Sequence, residues 1–204
     1  METLLFQESL NIVLVIFILL LIFRNYNYIF LLLTIVLLML IGFYRLPNRI
    51  PNKFPKKIIL SPCDGKILSI KKTEAHYKIS IYLNIFDVHV QWFPTHGIIR
   101  KIKYKKGTFN LAHLLEKSEY NEKITTIIQN EYGFVRIDQI AGQLARRIVT
   151  WKLTNTEVNR GDLLGMIKLS SRVDLYLPKS KVKLFISEKD NVIGNITPIA
   201  TWIT

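Results

Sequence analysis

The chain has 204 residues, a formal net charge of +13 and a hydrophobic fraction of 50%. Its single cysteine, Cys63, excludes an internal disulfide bond and a cysteine-rich metal centre. The apolar residues are concentrated in the first 44 positions and most basic residues follow them, which predicts one domain behind a membrane segment. The positive charge favours binding to an anionic membrane surface. Binding to nucleic acid is the alternative interpretation, but the sequence contains no recognisable nucleic-acid-binding motif.

The N-terminal part of the chain consists of two apolar runs, residues 10–23 and 28–44, separated by the short polar stretch 24–27. Each run is close to the roughly 20 residues that a helix needs to cross a bilayer. Residues 1–45 are therefore predicted to form a transmembrane helical hairpin, with a re-entrant or interfacial hairpin as the alternative. The basic residues after the second run predict that the following domain lies on the cytoplasmic side of the membrane.

Three prolines between residues 46 and 57 predict a stiff linker rich in proline and lysine. Residues 58–204 then alternate apolar and polar positions in many short segments separated by turn signals, which indicates a β-rich domain. The fold class is α+β, mainly β, and residues 111–123 are the one predicted helix of this domain. Residues 164–169 and 173–177 read as two apolar runs joined by a polar turn. The other predicted strands are residues 66–71, 77–83, 86–94, 98–105, 124–129, 133–140, 148–153, 182–186 and 193–199.

Three polar residues are candidates for chemistry, although each has an ordinary structural explanation. Asp64 lies in a turn that its side chain could cap, His89 lies in a predicted strand, and Ser171 could simply begin one. Together they are the residue types of a nucleophile, a base and an orienting acid, which are recognised by geometry and not by spacing. The remaining histidines show no metal-ligand spacing, so no metal is predicted.

Six short segments occur in order along the chain: Ser61-Pro-Cys-Asp-Gly65, Phe86-Asp-Val-His-Val90, Tyr120-Asn-Glu122, Gln139-Ile-Ala-Gly142, Ala145-Arg-Arg-Ile148 and Ser171-Arg-Val-Asp-Leu-Tyr-Leu-Pro178. Together they resemble the short bacterial form of phosphatidylserine decarboxylase, which implies a bacterial inner membrane as the location. The sequence Arg45-Leu-Pro47 resembles the family's entry to its soluble domain, and the resemblance extends from the hydrophobic hairpin to the end of the chain.

The resemblance implies a proenzyme that cuts itself between Ser170 and Ser171 and converts Ser171 to a pyruvoyl group. Asp64 would orient His89, and His89 would act as base on the Ser171 hydroxyl. The products would be a heterodimer of residues 1–170 and 171–204. The pyruvoyl group would form a Schiff base with phosphatidylserine in the membrane and release carbon dioxide, leaving phosphatidylethanolamine. No metal and no nucleic acid is implied.

Arginines near the predicted cut are the candidates for holding the lipid phosphate, with a solvated or structural role as the alternative for each. They are Arg146, Arg147 and Arg172.

The chain departs from the family pattern at two places. Ser170 stands where glycine is usual, which leaves open that Ser170 itself reacts, and Gln91-Trp92 replaces the usual Asn-Arg. These departures keep a second function open: a membrane lipid-binding relative that retains the fold but is neither cut nor catalytic.

Overall fold

The computed structural model describes residues 2–50, 54–142, 147–168 and 171–203, with side chains described from residue 9 onward. The chain divides into two compact units, with Asn48 ending the first and Arg49 beginning the second. Ser170 and Arg146, both singled out by the sequence, lie outside the described residues, as does the 51–53 part of the predicted linker.

The first unit contains two α-helices, α1 (Glu2–Ile22) and α2 (Asn27–Phe43), which pack against each other. They occupy the two apolar runs, and the polar stretch between them forms the connection. Within the described residues, no helix combines the length and hydropathy needed to cross a membrane.

The second unit is built mainly from antiparallel strands. It also contains two 3₁₀-helices, Lys117–Tyr120 and Lys179–Lys181. The strands are β1 (Ile58–Leu60), β2 (Gly65–Lys72), β3 (His76–Leu83), β4 (Val90–Trp92), β5 (Gly97–Lys105), β6 (Lys123–Gln129), β7 (Phe134–Ala141), β8 (Ile148–Thr150), β9 (Glu157–Val158), β10 (Leu163–Ile167), β11 (Ser171–Pro178), β12 (Val182–Leu184), β13 (Asn191–Val192) and β14 (Pro198–Trp202).

Over the described residues these strands form three sheets. The largest has the order β13-β2-β3-β11-β7-β6-β5-β9, and two smaller ones have the orders β1-β14-β12 and β4-β10-β8. Strand β11 lies inside the largest sheet and pairs with β3 on one side and β7 on the other. A mainly β domain is therefore confirmed.

The alternation in β11 arises because its two faces meet different surroundings. Val173, Leu175 and Leu177 are completely buried and join the hydrophobic core. Leu175, for example, is the register partner of Ile79 on β3 and of Ile137 on β7. The side chains between them point to the opposite face of the sheet, since successive residues of a strand alternate.

The predicted helix at residues 111–123 is wrong: the segment forms one 3₁₀ turn and then enters β6. The cause is a buried amide. The Asn121 side chain donates to the carbonyl oxygens of Asn110 at 2.8 Å and of Ala141 at 2.7 Å. These two bonds hold Asn121 in an extended conformation and tie the segment to the end of β7, which a continuous helix would prevent.

Several further boundaries differ from the sequence prediction. The predicted strand at 86–94 is only Val90–Trp92, so His89 lies just before β4 and not within a strand, and the predicted strand at 148–153 ends at Thr150. The predicted turn at 170–172 does not extend to Ser171 and Arg172, because both pair with β3 and β7 as the first residues of β11. The predicted strand at 193–199 is instead a turn followed by β14, since the backbone amide of Thr197 bonds the carbonyl of Ile193 at 2.9 Å.

Candidate active site

Ser171 is the first residue of β11 and is completely buried. Leu83 and Ala141 are its register partners on the two neighbouring strands. Its hydroxyl oxygen donates to the carbonyl oxygen of Ile167, the last residue of β10, at 3.4 Å. The Ser171 hydroxyl therefore lies beside the last residue of β10.

His89 meets the same residue of β10 through its main chain. The backbone amide of Ile167 donates to the carbonyl oxygen of His89 at 3.3 Å, and the His89 side chain is completely buried. The Ile167 peptide groups thus bond both Ser171 and His89. Residues more than 80 positions apart in the chain are brought to one place by the pairing of β10 with β4.

One hydrogen bond decides which nitrogen of the neutral His89 ring carries the proton. Nδ1 lies 2.8 Å from the carbonyl oxygen of Asp87. A carbonyl oxygen only accepts, so Nδ1 carries the proton of the neutral ring and Nε2 is the nitrogen able to take one up. This is the tautomer that a histidine needs when it acts as a general base through Nε2.

Asp64 lies just before β2, and its carboxylate is held from two directions. The guanidinium of Arg49 pairs with both of its oxygens, with Nη2 at 2.8 Å from Oδ2. The backbone amide of Gly194 donates to Oδ1 at 2.8 Å. These bonds fix the plane of the carboxylate. The orientation of His89 by Asp64 stays a prediction, since the hydrogen bond described for Nδ1 is the one that it donates to the Asp87 carbonyl oxygen.

Trp92 lies where the family resemblance predicts an arginine. The guanidinium carbon of Arg49 lies 5.0 Å from the centre of the Trp92 ring, within cation–π range. A positive charge is therefore present beside this position, supplied by Arg49 from the segment interpreted as a linker. Arg49 was missed by the sequence reasoning, because an arginine between prolines carries no signal of its own.

A chain of buried amides joins His89 to the large sheet. Gln91 donates to the His89 carbonyl at 2.6 Å, and Gln139 on β7 donates to the Gln91 side-chain oxygen at 2.9 Å. Both glutamine side chains are completely buried. The β4 strand that follows His89 is thereby bonded to β7 through side chains, in addition to its backbone pairing with β10. Gln139 was not identified as a candidate from the sequence.

The arginines proposed for the lipid phosphate are placed differently from one another. Arg172 is completely buried, its Nε lies 2.9 Å from Oδ1 of Asp174, and its Nη1 donates to the Ser118 hydroxyl. Arg147 is exposed, and its carbonyl accepts from the backbone amide of Lys168 at 3.2 Å, close to the predicted cut. Of the two, Arg147 is the one that an incoming phosphate could reach.

Arg172 belongs to a buried charge network on the face of β11 opposite the core. Asp174 and Asp138 on β7 are register partners, and each is at most 1% exposed. Lys78 lies 3.1 Å from Asp174, and Arg136 donates to Asp138 at 2.8 Å. Burial, the largest single influence, lowers the pKa of Lys78, but attraction to Asp174 and Tyr176 and the hydrogen bond to Asp174 together outweigh it and leave the pKa above its ordinary value. The cations make it possible to bury two adjacent carboxylates.

Cys63 lies next to Asp64 but is not a candidate nucleophile. Burial, followed by the negative charges of Asp64 and Asp87, raises the pKa of its thiol well above the ordinary value. The thiol therefore stays protonated, and only the thiolate is strongly nucleophilic.

A cavity of about 340 Å³ opens beside Asp64. The other side chains that line it include Lys66, Tyr82, Asn84 and Asp87. Two carboxylates and one lysine therefore face the same space. Among the described residues, no cluster of three histidine, cysteine or acidic side chains could hold a metal ion.

Comparison with known proteins agrees with this geometry. Residues 36–199 match the family model described as phosphatidylserine decarboxylase. A phosphatidylserine decarboxylase proenzyme of Carboxydothermus hydrogenoformans is 39% identical over 170 residues, which cover 79% of each chain. The Bacteroides fragilis protein of the same name is 36% identical over 171 residues, which cover 80% of this chain and 75% of the relative. The matched residues include Asp64, His89 and Ser171, so the chain belongs to the phosphatidylserine decarboxylase family.

Proposed function

We propose that this protein converts phosphatidylserine to phosphatidylethanolamine and carbon dioxide, using a pyruvoyl group made from its own Ser171. The observation that carries the proposal is the meeting of Ser171 and His89 at Ile167, with the histidine in the tautomer of a base. The proenzyme names of the relatives support a chain that must be cut before it acts.

In the proposed self-cleavage, His89 Nε2 takes the proton of the Ser171 hydroxyl, and the oxygen attacks the carbonyl carbon of Ser170. The amide C–N bond breaks as the ester bond forms, and His89 gives its new proton to the Ser171 nitrogen. His89 then takes the Ser171 α-proton, and the bond between Cβ and the ester oxygen breaks. Residue 170 is left with a terminal carboxylate, and residue 171 becomes dehydroalanine. Its imine tautomer reacts with water and releases ammonia, which leaves the ketone.

The site fits a pyruvoyl group because the new chain end stays in place. Strand β11 is bonded on both sides, and its apolar face is completely buried. The same fragment also contributes β13, paired with β2, and β14, paired with β1. Residues 171–204 therefore remain attached to residues 1–170 without a disulfide bond.

The pyruvoyl group supplies an electrophilic carbonyl that bonds the substrate amine and accepts the electrons released with carbon dioxide. The protein's task in this step is to return a proton to the α-carbon. His89 is the residue proposed for this transfer, because the proton it holds after cleavage lies at the same buried place. The cavity beside Asp64 is the proposed entrance for the lipid head group.

The apolar helices α1 and α2 are proposed to anchor the protein in a bacterial inner membrane, with the domain in the cytoplasm. The support is their composition: the connecting stretch contains one charged residue, Arg24, whereas several lysines and arginines follow α2. A cysteine placed in the connection should react with an impermeant maleimide from outside the cell. Labelling only after membrane rupture would contradict this orientation.

Intact mass of the full chain in detergent tests the proposed function. We expect two chains, the smaller beginning at a pyruvoyl-modified residue 171, and we expect Ser171→Ala to remain whole. A smaller chain beginning at 170 would move the reaction to Ser170. A wild-type chain that stays whole after long incubation would refute self-processing and favour the non-catalytic lipid-binding alternative.

A further inference from the structure

Arg49 is held as firmly as a core residue, although it precedes the first strand of the domain. Its guanidinium pairs with both Asp64 oxygens, and Nη1 also donates to the Gly194 carbonyl at 3.0 Å. Its own carbonyl accepts from the Asn195 side chain at 2.9 Å. The side chain is 14% exposed.

The pairing has the geometry that only arginine provides. Two parallel N–H bonds from a planar guanidinium align with the plane of a carboxylate, so the carboxylate cannot rotate without breaking one of them. The Gly194 amide adds a third bond from another direction. Asp64 therefore has one orientation as long as Arg49 is in place.

The guanidinium also lies over the Trp92 ring, which is itself closely packed. A methyl group at Gly194 would lie 2.7 Å from the Trp92 ring and 2.9 Å from the Cys63 backbone. The ring therefore cannot move toward Gly194 to release Arg49. Trp92 is 3% exposed, and the guanidinium packs against its ring.

We propose that Arg49 is a positioning residue for self-cleavage: it holds the Asp64 carboxylate in its working orientation, seated on Trp92. The inference rests on the proposed function, because Asp64 acts only if the chain cuts itself. It assigns a role in the chemistry to a segment that the sequence presents as a linker between the hairpin and the domain.

The test compares cutting rates of full-length chains synthesised in the presence of detergent and sampled over time. We expect Arg49→Ala to slow the appearance of the small chain by about 10- to 100-fold, since misplacing a catalytic group by about 1 Å can cost about 10²-fold in rate. Added guanidinium ions should restore part of the rate, because the variant leaves a cation-sized space between Asp64 and Trp92. Arg49→Lys should fall between, since it keeps the charge but not the paired bonds.

Arg160→Ala is the matched control. Its guanidinium holds the same segment by donating to the carbonyl oxygens of Phe54, Pro55 and Ile58, but it does not touch Asp64. We expect this variant to cut at close to the wild-type rate and to ignore guanidinium ions.

The outcomes separate the two proposals. A wild-type rate for Arg49→Ala, or equal slowing of Arg49→Ala and Arg160→Ala without guanidinium rescue, would overturn the positioning role while leaving self-cleavage intact. A wild-type chain that is never cut would refute the proposed function and this inference with it. If Arg49→Ala does not fold, the same comparison is made between Arg49→Lys and wild type, and equal rates would again reject the role.

Discussion

The ion pair between Arg172 and Asp174 can be tested by its effect on stability. The sequence suggests that Arg172 binds the lipid phosphate, whereas in the structure its guanidinium is paired with Asp174. Both side chains are 1% exposed, with 2.9 Å between Nε and Oδ1. Removing one partner of such a pair costs about 3–5 kcal/mol, since the other charge stays buried. Lys78 remains 3.1 Å from Asp174, so we expect Arg172→Met to cost about 3 kcal/mol, at the lower end of that range.

The measurement is urea unfolding in the uncut Ser171→Ala background, which keeps the protein a single chain. The double variant Arg172→Met with Asp174→Leu should recover most of the loss, because two apolar side chains of similar size replace the pair. In cleavage-competent protein, Arg172→Met should leave KM for phosphatidylserine nearly unchanged. Unaltered stability together with a raised KM would refute this reasoning and return Arg172 to the phosphate.

Three further predictions concern the core, the cysteine and the cavity. Leu175→Ala should lower the free energy of unfolding by about 2–5 kcal/mol, whereas Leu153→Ala, at a side chain 77% exposed, should change it by less than about 0.5 kcal/mol; equal effects would contradict the core assignment. Cys63 should resist alkylation until urea unfolds the protein. Because its pKa is raised in the folded state, its contribution to stability is intact below the unfolded thiol pKa and declines as the pH rises above it, and Cys63→Ala should remove that decline. Lys66→Ala should raise KM for phosphatidylserine with little change in kcat, because this lysine lines the cavity beside Asp64; an unchanged KM would place the head group elsewhere.

Local sequence pattern was sufficient for most of the large sheet. Strands β2, β3, β5, β6, β7 and β11 lie close to the predicted segments, because each alternates between a buried core face and a polar face. The two apolar runs likewise contain helices α1 and α2. Such periodicity is a property of neighbouring residues, so it can be recognised before the fold is known.

Elements stabilised by distant partners could not be recognised in this way. The 111–123 segment has a helix-like composition, but the Asn121 amide is bonded to Ala141, twenty residues away, and the chain turns into β6. Strand β11 begins at Ser171 because β3 and β7 extend to meet it, although the local sequence indicates a turn.

The same distinction between local pattern and distant partners applies to the candidate site. The sequence alone identified Asp64, His89 and Ser171 as residue types for nucleophilic chemistry, and the family resemblance gave them roles. Only the tertiary structure brought Ser171 and His89 to Ile167, buried Arg172 against Asp174, and placed Arg49 between Asp64 and Trp92. The chemistry of a side chain is set by its own atoms, but its orientation and charge partners come from strands far away in the chain. The sequence therefore determines which chemistry the side chains can perform, and the pairing of distant strands decides how those side chains are oriented and which charges they meet.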